Sequence, residues 1–443
     1  MADLPNKSQI QNSELSSDED SNMLDEVTYL IDRPEVAPPD RFKFVYLIFY
    51  LLGVGTLLPW NMFITAKDYF MYQLRNVSIP AANYTADVDD TPLQLSYESA
   101  VAISNMVANL VIQILNTGLA GRVSVKTRLV GSMAAMIGMF IITLVFTKLN
   151  VAEWQTTFYV LTLAIVVLAS AASALFGSSL FGLAAQFPQS YTQSIMGGMG
   201  LGGVFSAVVN IIVISLGTSI TTSAFWYFLL AILVLVFALV MYLLLYKLEF
   251  ARFYRKQNQR VMLNSQSVGR CGGKPSPSYS CSLSPWLCFL QQPPNVNSTN
   301  TNPDTLIWTA RYFVPLYCFF GFNMGDLIGR VLAGIVNIKW PNVTIPLLSI
   351  LRLVFIPLFA LCNVQPRNTI PVVFDNDAYP IVIMIIFAVS NGYLSTQALM
   401  IAPTLVDETQ AELAGSMMSM FMTIGLAAGS GLSYGIVLAI KNI

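Results

Sequence analysis

An acid and a base lie inside a stretch that is otherwise fit to cross a bilayer. From Tyr312 to Ile335 the chain is apolar and long enough for a membrane helix. Its centre reads Phe322-Asn323-Met324-Gly325-Asp326-Leu327-Ile328-Gly329-Arg330. Each charge costs about 2.5–3.5 kcal/mol at the middle of a membrane helix on insertion scales, and lipid returns none of it. Four residues apart, Asp326 and Arg330 share one helix face and offset each other's charge. That face must look into protein or into a wet cavity. Two readings follow. One is an internal ion pair that locks helices together. The other is a polar element lining a solute path, the first reading for an intramembrane ionisable pair.

The whole chain is built for the same solvent. Of its 443 residues 55% are apolar and 11% charged, against about 25% charged in soluble domains. This composition gives an all-α polytopic membrane protein. The net charge of -1 leaves no nucleic-acid footprint. There is no histidine, so the commonest metal ligand and every His-based triad are missing, and no cofactor is implied. Cys318 and Cys362 fall in apolar runs, while Cys271, Cys281 and Cys288 fall in a loop on the cytosolic side; no disulfide framework is expected.

Residues 1–43 are polar and acidic, with Ser-Ser-Asp-Glu-Asp at 16–20. They read as a disordered cytosolic tail and not as a signal peptide. Within the tail, Glu26, Leu30 and Ile31 have the spacing of an acidic dileucine signal, an address for a sorting adaptor; chance is the alternative reading. The first span, about 44–66, contains Pro59-Trp60-Asn61. Pro59 removes a helix hydrogen bond, which membrane helices tolerate when neighbours satisfy the freed carbonyl. Trp60 is either an interfacial anchor or an internal group. Two sequons follow, at Asn76 and Asn83, in a loop expected on the lumenal side.

The second span, about 99–120, carries Asn105, Asn109, Gln113 and Asn116 on one helix face. Four amides cannot be left to lipid; they bond other helices or face a cavity. Arg122, Lys126 and Arg128 then mark a cytosolic loop by the positive-inside rule. Spans at about 129–147, 156–176, 193–215 and 224–246 complete an N-terminal six-helix bundle over 44–247. Gly197, Gly198, Gly200, Gly202 and Gly203 give its fifth helix a flat surface for close approach. A cytosolic loop over 248–308 starts with Arg252, Arg255, Lys256 and Arg260 and turns Ser-, Pro- and Asn-rich, hence partly disordered. Spans at about 310–336, 346–363, 379–401 and 412–438 form a C-terminal bundle over 309–443. The total is about 10 membrane helices.

The ordered motifs resemble the equilibrative nucleoside transporter family. They include Pro59-Trp60-Asn61 with Phe63, Ser179-Leu180-Phe181-Gly182-Leu183, and Leu248-Glu249-Phe250. Phe322-Asn323 with Asp326 and Gly329-Arg330, then Ser390-Asn391-Gly392-Tyr393-Leu394, continue the match. Glu26/Leu30/Ile31, Asp32-Arg33-Pro34 and Ser395-Thr396 look most like the endosomal–lysosomal branch. The resemblance implies a major-facilitator-like pair of bundles with 11 helices. It implies facilitative transport of nucleosides, with nucleobases as further solutes, by alternating access, without cofactor, in a late endosomal, lysosomal or plasma membrane. Carried over by motif, Leu57, Trp60 and Met106 face the nucleobase, with Asn61 and Asn109 beside them. Asp326 and Arg330 face the sugar, with Asn323 one turn before. Nucleosides, membrane lipids and a sorting adaptor are the implied partners.

Two departures stand out. The family's seventh helix is missing: the only candidate, Trp286-Leu287-Cys288-Phe289-Leu290, is far shorter than the ~20 residues of a span and is bracketed by Pro285, Pro293 and Pro294. Six spans return the chain to the cytosol. The last four either enter inverted, depriving the Asp326 face of its partners, or pack as in the family. The alternative to a transporter is therefore a non-transporting splice form or scaffold. Second, Ser173 and Gly177 stand where plasma-membrane members carry glycine and glutamine, which changes the contacts open to the base.

The sorting reading has a direct test. Replacing Leu30 and Ile31 by alanine moves the protein toward the cell surface, and unchanged co-localisation with lysosomal markers would remove the signal.

Overall fold

The computed structural model describes residues 37–77, 91–119, 123–216, 219–269, 315–362, 373–374 and 376–442. Glu26, Leu30, Ile31, Asn83 and the stretch 270–314, where a seventh helix is expected, lie outside them; Asn76 is exposed just after the second helix. Every described element is helical. The first half holds α1 (Phe44–Thr65), α2 (Lys67–Gln73), α3 (Pro92–Leu119), α4 (Val125–Phe146), α5 (Gln155–Ala184), α6 (Gln189–Leu216) and α7 (Ile220–Leu245). Then comes α8 (Glu249–Gly269). The second half begins with a π-helical turn, Pro315–Gly321, that runs into α9 (Phe322–Ala333). It continues with α10 (Pro341–Leu351), α11 (Phe355–Ala360), α12 (Ala378–Ile401) and α13 (Ala411–Asn442). Nine helices among the described residues are long and apolar enough to cross a membrane, which makes this a multi-pass membrane protein.

Local sequence sets the helix ends. Ser124 and Ser219 cap α4 and α7, accepting from the amides of Thr127 at 3.2 Å and Thr222 at 3.4 Å. Pro357 cannot donate to the Leu353 carbonyl, and there the α10–α11 rod tightens into a 3-10 turn at Arg352–Val354. Pro59 sits within an unbroken α1. Ser173 donates to the Thr56 carbonyl at 2.9 Å, next to the Gly55 carbonyl that Pro59 leaves without its helical donor. At the entry to α1, Asp40 accepts from the Val45 amide at 3.0 Å, the Tyr46 amide at 3.1 Å and the Tyr191 hydroxyl at 3.0 Å, which ties α1 to the start of α6.

The basic stretch after α7 is more than a loop: it folds as α8. Its apolar positions recur at helical spacing, so Ala251 is buried while the rings of Phe250 and Tyr254 pack on Phe187 and Tyr191. Arg128 also departs from its expected place in a loop. It lies in the first turn of α4 with its side chain only 3% exposed, because Glu412 of α13 meets it there.

Helix crossings are made by glycine. In α1 and α6, 61% of the apolar stretch is buried, against 22% in α3, so α1 and α6 form the centre of the first half. A Cβ at Gly198 would fall on the Tyr50 carbonyl, and one at Gly53 on the Ile195 carbonyl. In the second half, Gly329 and Gly392 do the same for α9 and α12 against the Val389 and Asp326 carbonyls. Gln397 of α12 caps the α9 C-terminus, donating to the carbonyls of Ala333 at 2.9 Å and Val336 at 2.7 Å.

The second half is not stripped of its partners. Asn323 of α9 lies against Gly203 of α6, and Gly334, just past α9, lies against Gln193, so α9 runs antiparallel to α6. The end of α9 thus shares one end of the bundle with the start of α6 and the end of α7.

Gly198→Ala therefore costs stability by about 1–3 kcal/mol of overpacking, seen as a lower melting temperature of purified protein. Gly138→Ala, where an added Cβ meets nothing within 4 Å, leaves the melting temperature unchanged or raises it.

Candidate functional site

A cavity of about 150 Å³ lies between the two halves, walled by α1, α3 and α5 on one side and α13 on the other. Its apolar wall includes Leu57, Trp60, Met106 and Phe181. Its polar wall includes Asn105, Asn109, Gln113, Ser170, Ser173 and Thr423. Aromatic and apolar side chains therefore line the same space as amides and hydroxyls. Trp60 is placed by the Pro59 turn of α1, internally and not at the boundary. Gly177 also lines the cavity, and the only atom near an added Cβ there is Thr56 Cγ2 at 4.0 Å. This glycine leaves room where those at the helix crossings make contact.

The amide stripe of α3 serves both expected purposes. Ser170 donates to Asn105 Oδ1 at 2.8 Å, and Asn109 Nδ2 donates to the same oxygen at 2.8 Å. Gln113 Nε2 donates to Thr423 Oγ1 of α13, which joins the halves across the cavity wall, while Gln113 Oε1 is buried without a partner. One turn on, Asn116 leaves the cavity. Its Nδ2 donates to Ser178, and its Oδ1 accepts from Arg128 Nη1 at 2.9 Å. Arg128 then pairs with Glu412, which also accepts from Gln186 at 3.3 Å. Ser416 donates to the Ser178 carbonyl at 3.1 Å, and a Cβ at Gly415 would press on the Phe181 backbone. These contacts form a layer beside the cavity, toward Glu412. The Arg128–Glu412 pair escapes sequence reading because its partners lie 284 positions apart. The one signal available was an acid at the start of the last span.

Asp326 and Arg330 are elsewhere on the same interface. They do not line the cavity, and neither do Asn61 or Asn323. Arg330 Nε donates to Asp326 Oδ2 at 2.6 Å, with both side chains under 10% exposed. Asp326 Oδ1 accepts from Asn391 at 2.8 Å, and Arg352 donates to Asn391 Oδ1 at 3.0 Å. Arg330 Nη1 reaches across to the Met196 carbonyl of α6 at 3.0 Å. The pair is thus satisfied twice over and holds α9 to α6 and α12. Asn323 donates to the Phe319 carbonyl at 2.7 Å, and Asn61 Nδ2 is buried without a partner. Of the eight carried-over residues, the structure brings Leu57, Trp60, Met106 and Asn109 into one cavity and leaves the other four outside it.

Comparison with known proteins agrees with this architecture. Residues 163–291 and 287–438 match the family model described as Nucleoside transporter. Equilibrative nucleoside transporter 1 of Homo sapiens is 34% identical over 90% of this chain and 97% of its own length. Equilibrative nucleoside transporter 3 of Rattus norvegicus is 32% identical over 89% of this chain and 88% of its own. Among solved structures, the proton:xylose symporter XylE of the major facilitator superfamily aligns with a TM-score of 0.59 at 13% identity, covering 91% of this chain and 90% of that one. At that identity the likeness speaks for the fold alone, while relatives a third identical over nine tenths of the chain place the protein in the equilibrative nucleoside transporter family.

Proposed function

We propose that this chain moves nucleosides, with free nucleobases as further solutes, down their gradients across an endolysosomal or plasma membrane by alternating access. It transports and does no covalent chemistry. The observation that carries this reading is the part-apolar, part-polar cavity between the halves of a chain in this family. A nucleoside is an aromatic face joined to a polyol. Trp60, with Leu57 and Met106, offers the face for stacking. Asn105, Asn109 and Ser170 offer donors and acceptors to ring heteroatoms and hydroxyls.

Asp326 and Arg330 enter the cycle through the interface they hold. As the halves rock, the Arg330–Met196 bond between α9 and α6 opens. The carboxylate of Asp326 then accepts from vicinal sugar hydroxyls while Arg330 keeps it oriented. At the same end of the bundle, Arg128 and Glu412 separate and hydrate. A buried ion pair suits such a joint, because the desolvation penalty recovered on opening nearly equals the attraction lost. Apolar contacts would give closure without that return.

Uptake of labelled uridine and adenosine into proteoliposomes holding the full chain tests the function. Asp326→Asn and Arg330→Ala each lower uptake by about ten- to a hundredfold, from the ~1.5–3 kcal/mol of a charge-assisted hydrogen bond, with insertion unchanged. Equal uptake by both variants and the parent would sink the assignment.

The closure has its own test. Glu412→Gln leaves Arg128 buried and uncompensated, which penalises the closed layer by about 3–5 kcal/mol. With the five native cysteines replaced by serine, Ser419→Cys on the cavity floor becomes more reactive to thiol reagents from the Glu412 side. Exchanging the charges, Arg128→Glu with Glu412→Arg, restores protection. Equal labelling in all three backgrounds would refute the closure.

A further inference from the structure

We propose that the bundle end where α4 begins and α7 ends is a binding site for the anionic phospholipid headgroups of the adjoining leaflet. Tyr246, the residue that caps α7, is its centre. Lys126 Nζ, from the first turn of α4, lies 5.0 Å from the centroid of the Tyr246 ring, and the Arg255 guanidinium of α8 lies 4.1 Å from it. Arg252 Nε donates to the Tyr246 carbonyl at 3.1 Å. Lys247 and Lys256 are exposed beside them. Three cations thus contact one residue and two more, Lys247 and Lys256, adjoin Tyr246 and Arg255 in the chain, and no carboxylate among the described residues pairs with any of the five. Glu249 is the one acid in α8.

The depth of this cluster follows from its helices. α4 and α7 are both membrane spans, so their ends mark the level where hydrocarbon gives way to headgroups. α8 stays at that level because its aromatic face packs against Phe187 and Tyr191. Its Arg252 and Lys256, one turn apart, are exposed. Cations at the end of a span that pair with no carboxylate among the described residues, although α8 packs near Glu408–Gln410, are matched by lipid phosphates, which are concentrated there as no soluble anion is. Each Lys or Arg near an anionic leaflet adds about a factor of five in affinity. The Tyr246 ring keeps Lys126 and Arg255 from folding away, as ammonium and guanidinium groups rest on an aromatic face.

Native mass spectrometry of the detergent-purified full chain, titrated with phosphatidylserine or phosphatidylcholine, reads the site directly. The expected result is phosphatidylserine adducts at more than about 25-fold lower lipid concentration. Arg252→Gln with Lys256→Gln, which touches only exposed side chains, weakens them by about 25-fold. Adding Lys126→Gln and Lys247→Gln abolishes the preference. Lys67→Gln with Lys148→Gln, past the other ends of α1 and α4, leaves it intact. The proposal is overturned if the two lipids bind alike, if the four-residue variant keeps its preference, or if the control loses it equally. Displacement of the adducts by excess inorganic phosphate would assign the site to a soluble anion and overturn the lipid reading as well.

Discussion

Hydrocarbon accepts no hydrogen bond, and the architecture of this protein is a set of answers to that fact. Every polar group carried into the spans needs a partner within the protein or a share of a wet cavity. α3 shows the division within one helix. Asn105, Asn109 and Gln113 border the cavity, and Asn116, one turn further, is consumed by Ser178 and Arg128. Asp326 and Arg330 show the other extreme, a pair enclosed by Asn391 and the Met196 carbonyl.

The contacts that hold each half together differ in kind from those that join the halves. Within the halves, α1 crosses α6 and α9 crosses α12 with glycine on backbone, a packing that gains dispersion energy from closeness and has no second arrangement to move to. Between the halves, glycine meets polar side chains as well as backbone: Gly203 faces Asn323, Gly182 faces Ser416, Gly200 faces Arg330 and Leu327, and Gly415 faces the Phe181 backbone. With Gln113–Thr423 and Arg128–Glu412 added, the joint is largely one that water can replace. Rigid halves and a hydratable seam are what rocking of one half against the other needs.

Nine of the chain's apolar runs, its central acid–base pair and the amide stripe were legible because they depend only on spacing along one helix. α8 was missed as a helix. Its helical periodicity is present, but its positive charge drew the reading to a loop. Arg128 was misplaced for a related reason. A cation near a span end satisfies the positive-inside rule equally well whether it faces water or Glu412.

By itself the sequence determined the solvent, the spans and the polar groups that had to be hidden, since hydropathy and periodicity are local properties of the chain. Tertiary structure alone decided which polar groups meet a cavity and which meet one another. Trp60 and Asp326 were equal candidates for one site on motif and spacing. In the folded chain the Pro59 turn leaves Trp60 against open space, while Asn391 and Met196, brought in by α12 and α6, enclose Asp326 and Arg330. Those partners lie 65 and 134 positions away from the residues they hold, and only the packing of helices brings such distant positions within hydrogen-bond reach.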